Sequence, residues 1–328
     1  MKILVTGGTG YLGRRLIERL CADKHYVSLF HRASSDLSPL KGLPVEFRAG
    51  ELTSVDDLTR AMKGVEWVFH VAGNTSPKRS DKKALMETNV FGTRAVVAAA
   101  IRAQVKRLIH TSSIAAIGFP MHGEGNEQTQ FLKPSGSITY FLTKHLAEKE
   151  VQGGIAQGLD AVFANPGFIL GPGDDDFSSG GKLILRVAKQ KVPLSPPGGI
   201  CLIDVDDVVE GHIRLATRGK RGERYILGGK NITYVELFRL ISKNLNVPYS
   251  GKTISPFLLQ TIGFLSELIS SLFGGKPYIT YDEAKISSYK FFFDSSKAQK
   301  ELGMTFRSPE EIVNRTIDYY KSKNLICS

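Results

Sequence analysis

Tyr140 and Lys144 stand four residues apart in residues 139–151, a stretch with the apolar spacing of a helix. Side chains at that separation share one helix face. A tyrosine hydroxyl ordinarily has a pKa of about 10, and a neighbouring ammonium lowers that pKa by stabilising the phenolate. The pair therefore predicts a phenol that exchanges a proton with a carbonyl or alcohol oxygen while hydride moves at the adjacent carbon. Two ordinary residues of a surface helix are the structural alternative.

Thr111-Ser112-Ser113 supplies hydroxyl groups for the same chemistry. These residues come at the end of residues 107–111, an apolar run that predicts a β-strand. Ligands of open α/β sheets bind at the carboxyl ends of the strands. A hydroxyl at that point can hydrogen-bond the reacting oxygen and orient it toward Tyr140.

A glycine-rich turn at residues 7–13 follows the apolar run of residues 1–5 and precedes a helical pattern. In such a turn one glycine allows the sharp bend, a second allows the backbone to approach a pyrophosphate, and a third allows the helix to pack on the strand. The first helical turn then offers unpaired N–H groups to the phosphates. This motif predicts a dinucleotide site, with candidate residues Gly7, Gly10, Tyr11, Leu12 and Gly13.

His31-Arg32 stands about 20 positions past the glycines, where a classical NAD site has an acidic residue. An acidic side chain would repel the 2′-phosphate of NADP, whereas the Arg32 guanidinium would pair with it. Ser34 and Ser35 add hydroxyl donors. We therefore expect NADP(H) in preference to NAD(H), which stays acceptable. The alternative is that Arg32 is only an exposed loop charge.

Apolar strand-like runs alternate with helical patterns, which is typical of a parallel sheet covered on both faces. The predicted fold is α/β, a Rossmann-like doubly wound parallel sheet with a smaller, discontinuous C-terminal substrate lobe. The nucleotide domain is expected at residues 1–167, with 203–229 returning to it, and the lobe at 168–202 and 230–328. The predicted strands are residues 2–6, 26–31, 45–49, 67–72, 107–111 and 161–165.

Composition and charge indicate which classes of ligand and which compartment to expect. The 328-residue chain has a net charge of +11, which suits acidic ligands, but its basic residues are scattered and lack the interleaved aromatic side chains of a nucleic-acid surface. We therefore expect a small-molecule substrate and no nucleic acid. Cys21, Cys201 and Cys327 match no metal or redox spacing and indicate a reducing compartment. With the glycine motif directly at the N-terminus, this predicts a cytoplasmic protein without a metal site.

Residues 257–273 form the most apolar stretch of the chain. They are few for a membrane span and include Gln260, Glu267 and several serines. The stretch is interpreted as an amphipathic helix lining the substrate lobe. Peripheral contact with a membrane is the less favoured alternative.

Taken together, these motifs make the chain resemble the extended short-chain dehydrogenases/reductases. The likeness covers essentially the whole length and rests on Thr-Gly-x-x-Gly-x-x-Gly at residues 6–13, Ser113 at a strand end and the Tyr140/Lys144 pair. Further matching stretches are residues 89–93, 165–166, 171–173 and 206–208.

The resemblance implies roles for individual residues. Ser113, Tyr140 and Lys144 would form a catalytic triad, with Lys144 also contacting the nicotinamide ribose. A dimer through two long helices is also implied. The residues implied to lie along the cofactor are Val71, Ala72, Gly73, Thr111, Ser112, Pro166, Gly167 and Phe168, with Glu51 and Leu52 near the adenine, where Glu51 replaces the usual aspartate.

Within that family the chain is most similar to the dihydroflavonol reductase-like and hopanoid-associated epimerase group, particularly at residues 222–229 and 292–298. Sugar-nucleotide dehydratases carry an acidic pair where this chain has Ile114 and Ala115, which argues against dehydration. Sugar-nucleotide epimerases commonly place an arginine where this chain has Ile200, although Arg186 could substitute.

The expected function is NADPH-dependent reduction of a ketone or aldehyde, or the reverse oxidation, on a fairly apolar molecule. Apolar residues around the proposed site support it, namely Ile114, Ala115, Ala116, Ile117, Phe119 and Phe168, although residues 114–117 could equally be core. The alternatives are a nucleotide-sugar epimerase with tightly bound NAD, and a nucleotide-binding regulatory or scaffold protein without catalysis.

Overall fold

A parallel sheet of seven strands forms the centre of the protein, which the computed structural model describes over residues 1–76, 81–120, 123–132, 139–175, 177–189, 194–275 and 277–326. The strands are β1 (Lys2–Thr6), β2 (Tyr26–His31), β3 (Val45–Ala49), β4 (Trp67–His70), β5 (Arg107–Thr111), β6 (Ala161–Pro166) and β9 (Arg224–Leu227). Their order across the sheet is β3-β2-β1-β4-β5-β6-β9. The direction of winding reverses between β1 and β4, which opens a crevice at the carboxyl ends of the strands.

Helices cover both faces of this sheet. Successive side chains of a strand point to opposite faces, so Ile3 and Val5 of β1 pack in one apolar cluster and Leu4 in the other. The first cluster lies under α1 (Tyr11–Ala22), α8 (Val205–Arg218) and α12 (Ser296–Leu302), and the second under α2 (Val55–Ala61), α4 (Gly92–Arg102) and α6 (Thr139–Ala156). This arrangement confirms the predicted Rossmann-like α/β fold.

Four short helical pieces complete the part of the chain around this sheet. Helix α3 (Lys82–Leu85) runs through a π-helical segment (Met86–Phe91) into α4, and α5 (Ile114–Ile117) follows β5. A 3-10 turn (Ser38–Leu40) lies between β2 and β3.

A second, mixed sheet builds most of the remaining chain. Its strands are β7 (Phe168–Leu170), β8 (Gly199–Asp204), β10 (Lys230–Thr233) and β11 (Lys290–Phe291). Strand β8 pairs in parallel with β7 and β11 and antiparallel with β10. The helices here are α7 (Ser179–Ala188), α9 (Tyr234–Leu245), α10 (Pro256–Phe273), α11 (Tyr281–Ile286) and α13 (Pro309–Ser322).

The six predicted strands are present, with small differences at two ends. Strand β4 ends at His70 rather than Ala72, because the chain leaves the ladder toward the glycine turn: the N–H of Val71 bonds to the Thr6 carbonyl, whereas that of Ala72 bonds to the Thr6 hydroxyl. Strand β6 continues to Pro166.

Helix α10 is present as predicted, but its apolar face does not line the lobe. Only Leu259 and Gly263 of this helix are buried. Nine large apolar side chains are exposed instead: Phe257, Leu258, Ile262, Phe264, Leu265, Leu268, Ile269, Leu272 and Phe273.

Candidate active site

The glycine turn lies at the carboxyl end of β1 and has the shape that a pyrophosphate requires. Gly7 has a φ of 75°, and a Cβ on it would stand 2.5 Å from the backbone nitrogen of Ala72. A Cβ on Gly13 would overlap the Gly7 carbonyl. At Gly10 the nearest atom to an added Cβ is the Gly7 carbonyl oxygen, 3.5 Å away. Two glycines are thus fixed by packing, while the third borders open space.

Helix α1 presents its positive end to that space. Its N-cap is Gly10, which has no capping side chain, and its first turn contains no acidic residue. The N–H groups of this turn therefore suit an anion. Because the open cradle and the helix end coincide, these residues fit a dinucleotide.

Tyr11 and Leu12 turn their side chains away from the cradle. Leu12 packs against the apolar cluster under α1. The Tyr11 hydroxyl is buried near Gly171, without a hydrogen-bond partner among the described residues. Burial, with Asp174 nearby, raises the pKa of this hydroxyl. Their backbone N–H groups, in the first turn of α1, are the groups that suit the pyrophosphate.

Arg32 is exposed just beyond β2. Its carbonyl accepts the Ser35 N–H at 2.9 Å, which closes a tight turn, and also bonds to Nδ1 of His31 at 2.9 Å. Among the described residues no carboxylate forms an ion pair with Arg32. Its guanidinium is therefore available to an anion.

Glu51 and Leu52 follow β3 at the same edge of the sheet. The Glu51 side chain is exposed, and the backbone N–H of Glu51 donates to Oδ2 of Asp57 at 3.1 Å. Leu52 packs closely on the π-helical segment and α4, where a Cβ on Gly92 would lie 2.7 Å from Leu52 Cδ2.

Ser113 and Tyr140 meet at the carboxyl end of β5. Ser113 caps α5, since its Oγ accepts the Ala115 N–H at 3.1 Å. The Ser113 hydroxyl lies close enough to the Tyr140 hydroxyl to influence its pKa. Burial raises the pKa of the Tyr140 hydroxyl, and the Ser113 hydroxyl opposes that increase by stabilising the phenolate. The structure thus brings together two of the three side chains expected to do chemistry.

Lys144 lies one helical turn beyond Tyr140 and is only 5% exposed. Its Nζ donates to the Thr111 carbonyl at 2.7 Å, and a Cβ on Gly73 would lie 3.9 Å from it. Burial lowers the pKa of Lys144 to about 8, although Glu148 opposes this shift. The expected lowering of the Tyr140 pKa by Lys144 is not found: burial and Ser113 account for that shift.

Residues 3–228 match the model of the NAD dependent epimerase/dehydratase family. The chain belongs to this family. It is therefore an NAD(P)-dependent oxidoreductase of the extended short-chain type, as the sequence motifs predicted.

Relatives of this epimerase/dehydratase family member include two bacterial proteins that match nearly end to end. It is 33% identical to the Synechocystis protein named "Putative dihydroflavonol 4-reductase", covering 98% of this chain and 95% of that one. It is 31% identical to sterol demethylase protein B of Methylococcus capsulatus, covering 99% and 100%. The crystal structure of gox2253 superposes with a TM-score of 0.86 at 34% identity, covering 99% of both chains.

Thr111 and Ser112 use their hydroxyls inside this family fold rather than in the crevice. The Ser112 hydroxyl donates to Oε1 of Glu148 at 2.6 Å. The Thr111 hydroxyl bonds to Nε2 of His212 at 2.8 Å, while Nδ1 of His212 donates to a backbone carbonyl. Only the backbone carbonyl of Thr111 reaches a candidate catalytic residue, through Lys144.

Glu148 is the centre of a buried polar network that sequence reasoning missed. This carboxylate is fully buried and forms an ion pair with Arg224 at 2.6 Å. Asn165 Nδ2 donates both to Oε1 of Glu148 at 2.7 Å and to the Ser113 carbonyl at 3.0 Å. The network thereby fixes the backbone that carries Ser113. Glu148 lies four residues after Lys144 in α6, and this helical spacing is the sequence signal that could have identified it.

Asn89 lies in one of the stretches that match the family, residues 89–93, but the sequence analysis assigned it no role. It lies in the π-helical segment, and its Nδ2 donates to the Asn74 carbonyl at 2.9 Å and to the Thr143 hydroxyl at 3.0 Å. Its Oδ1 accepts the Asn74 N–H at 2.7 Å. Asn89 therefore ties the loop after β4, which includes Gly73, to the helix that carries Tyr140 and Lys144.

The remaining cofactor candidates lie at the same edge. Pro166 ends β6, and Phe168 begins β7 and is partly exposed. Gly167 lies between them against the Cys201 carbonyl, where a Cβ would not fit.

Residues 114–117 form core rather than a substrate wall. All four are buried, and three of them pack with Phe141, Phe291 and Phe293. The partly buried Phe119 lies beside this cluster, with its ring stacked on Phe141 at 5.2 Å and 5.3 Å from the Tyr289 ring. Tyr140 packs against the same cluster, so the proposed proton donor borders an aromatic surface.

Of the two positions considered for a diphosphate, Ile200 carries no charge, and Arg186 is partly engaged by Tyr278. Ile200 is buried in the apolar cluster of the second sheet. Arg186 donates to the Tyr278 carbonyl at 2.7 Å, and its guanidinium lies 5.3 Å from the centre of the Tyr278 ring.

Proposed function

We propose that the protein is an NADP(H)-dependent oxidoreductase that reduces a carbonyl group, or oxidises the matching alcohol, on an apolar small molecule. The observation that carries the proposal is that the Ser113 and Tyr140 hydroxyls meet at the carboxyl end of β5, with the Lys144 ammonium held one helical turn away by the Thr111 carbonyl. This group lies at the same edge of the sheet as the glycine cradle.

The chain's own residues would manage the proton. NADPH supplies, when bound, the hydride that reduces the carbonyl carbon. Tyr140 donates its proton to the carbonyl oxygen, and its raised pKa keeps the hydroxyl protonated at neutral pH, as a donor must be. The single O–H of Ser113 faces the Tyr140 oxygen in the free protein and would turn to the reacting oxygen when a carbonyl binds, while Ser113 Oγ keeps accepting the Ala115 N–H. In the reverse direction, Tyr140 takes the proton of the alcohol.

Three groups of residues would hold the cofactor. Gly7, Gly10 and Gly13 with the start of α1 would receive the pyrophosphate. The Lys144 ammonium, held by the Thr111 carbonyl, would bind the ribose hydroxyls. Arg32, exposed and without a carboxylate partner among the described residues, would pair with a 2′-phosphate and so favour NADP(H).

An apolar substrate is supported by the surroundings of Tyr140. Tyr140 packs against a cluster of aromatic and aliphatic side chains that Phe119 also contacts, and Ile200 supplies no charge for a sugar diphosphate. The name of the Methylococcus relative, sterol demethylase protein B, refers to a sterol. We infer that the substrate is a ketone or alcohol of a mostly hydrocarbon molecule, of sterol or flavonoid size.

A spectrophotometric panel tests this proposal. Purified protein should oxidise NADPH in the presence of sterol ketones or dihydroflavonols, and should show no such oxidation with sugar nucleotides. Protein that instead carries tightly bound NAD, interconverts sugar nucleotides and leaves added NADPH unchanged would be an epimerase. Protein that binds NADPH but turns over no member of the panel would support the catalytically inactive alternative.

A further inference from the structure

Helix α10 has its polarity inverted relative to a normal surface helix. A helix on a water-soluble domain turns its apolar stripe to the core. Here the outward face carries the nine exposed apolar side chains described above, with Phe257 83% exposed at one end and Phe273 84% exposed at the other. By length and composition this helix is apolar enough to cross a membrane, yet it is neither buried nor N-terminal.

The inward face of α10 is polar and small. Gly263 allows close packing, since a Cβ there would lie 2.9 Å from the Thr280 carbonyl and 3.0 Å from Ala284 Cβ. Oε1 of Gln260 accepts the Tyr281 hydroxyl at 3.3 Å, and the Ser266 hydroxyl accepts the Tyr278 N–H at 2.7 Å. The helix is therefore fastened to the lobe by hydrogen bonds, and its apolar side chains are left outside.

These contacts decide how α10 would meet a bilayer. A helix that crosses a membrane alone exposes all of its sides to lipid. The attachments of α10 to the segment around α11 run along one side and include polar groups, which lipid cannot replace. The geometry therefore suits a helix lying in the interfacial plane, with its outer face in the acyl region and its inner face on the protein.

A basic stripe on α7 is connected to the segment that follows this helix. Lys182, Arg186 and Lys189 follow at spacings of four and three on α7 and just beyond it, so they share one face. Arg186 connects that face to the loop after α10 through its contacts with Tyr278. Among the described residues no carboxylate forms an ion pair with the three cations. An anionic surface would complement both the stripe and the chain's net charge of +11.

We propose that α10 and this stripe dock the protein peripherally on an anionic lipid bilayer. This inference goes beyond the proposed function and does not depend on it. A second copy of the chain is the competing occupant of the apolar face. A symmetric dimer through α10 would bring two chains of charge +11 and two basic stripes together, which electrostatic repulsion disfavours.

Vesicle flotation tests the proposal. Wild-type protein should float with phosphatidylglycerol-containing vesicles and bind more weakly to pure phosphatidylcholine vesicles. The double variant Phe257→Glu, Phe273→Glu should lose binding by at least about tenfold, because it places charges in the apolar face. Both positions are exposed, so circular dichroism should show an unchanged fold.

A matched variant separates this face from a general effect of charge. Tyr26→Glu with Gln157→Glu adds the same two negative charges at exposed positions in the nucleotide-binding half, and Tyr26 is 76% exposed. This control should float like the wild type. Equal loss in both variants, absence of wild-type flotation, or a dimer that only the α10 variant dissociates in sedimentation velocity would each overturn the proposal. Equal binding to neutral vesicles would overturn its electrostatic part.

Discussion

At the scale of single residues, the surroundings of Ser113 and Ser112 give their hydroxyl groups different roles. Ser113 Oγ accepts the Ala115 N–H, and the Ser113 hydroxyl acts to lower the pKa of the adjacent Tyr140. The hydroxyl of the neighbouring Ser112 donates to the buried Glu148. Residue type alone does not distinguish the two serines, and the family resemblance selected Ser113. The buried Glu148–Arg224 pair gives the physical reason, because it engages Ser112.

The Ser113 hydroxyl predicts how the rate of alcohol oxidation depends on pH. Because this hydroxyl opposes the increase in the Tyr140 pKa that burial causes, Ser113→Ala should raise that pKa further. Alcohol oxidation needs the phenolate, so its rate rises with pH, and the rise should move to higher pH in the variant. A loss of about 10²-fold in kcat/KM is expected at neutral pH. Ser113→Thr, which keeps a hydroxyl, serves as the control. An unmoved profile in Ser113→Ala would contradict the role.

Arg32 predicts the choice of cofactor. Arg32→Asp should weaken NADPH binding by at least about tenfold, since it removes a charge-assisted bond and adds repulsion, while NADH binding should change by less than about twofold. Lys63→Asp, at another exposed position of the nucleotide-binding half, makes the same change in charge and should affect neither cofactor. Calorimetric titration of both cofactors gives the comparison. Equal weakening of both in Arg32→Asp would show that Arg32 does not select.

At the scale of elements, the turn between β1 and α1 contains glycines needed for the fold and one that borders the proposed pyrophosphate site. Gly13 is needed for helix packing on the turn, and Gly7 for its bend. Gly10 is different, because its φ of −84° and ψ of 169° are open to any residue and an added Cβ would meet little. The sequence motif predicts three roles for its glycines, and the structure shows which glycine each role falls to.

Two alanine substitutions test that separation. Gly10→Ala should leave the melting temperature within about 2 °C of the wild type but weaken cofactor binding by at least about tenfold, because its methyl group enters the cradle. Gly13→Ala should destabilise the fold by about 2 kcal/mol, because its methyl group overlaps the Gly7 carbonyl. Differential scanning fluorimetry with and without NADPH measures both. Wild-type affinity in Gly10→Ala would show that the pyrophosphate lies elsewhere.

Across the whole molecule, the nucleotide-binding half was more predictable than the rest. Buried parallel strands such as β1 and β6 contain continuous apolar runs, at residues 3–5 and 161–164, so local sequence reveals them. The second sheet was not predicted, because strands such as Phe168–Leu170 and Lys290–Phe291 are only three and two residues long and pair across distant parts of the chain. The π-helical segment that places Asn89 likewise has no simple sequence pattern.

Helix α10 was predicted from local sequence, but the direction of its apolar face was not. Its apolar composition predicted the helix correctly, but the direction of its apolar face depended on contacts with residues 278–284. For a soluble protein the usual inference is that such a face is buried, and here it is not. The whole molecule therefore pairs a nucleotide-binding crevice with a separate apolar surface.

The central claim is that Tyr140 exchanges the proton with the substrate oxygen, and removing its hydroxyl tests this directly. With a carbonyl substrate identified from the panel, Tyr140→Phe should reduce NADPH turnover by about 10³-fold and change the Kd for NADPH by less than about threefold. Tyr26→Phe, at an exposed position, should retain full activity. Turnover in Tyr140→Phe that equals the wild type, with cofactor binding intact, would contradict the claim.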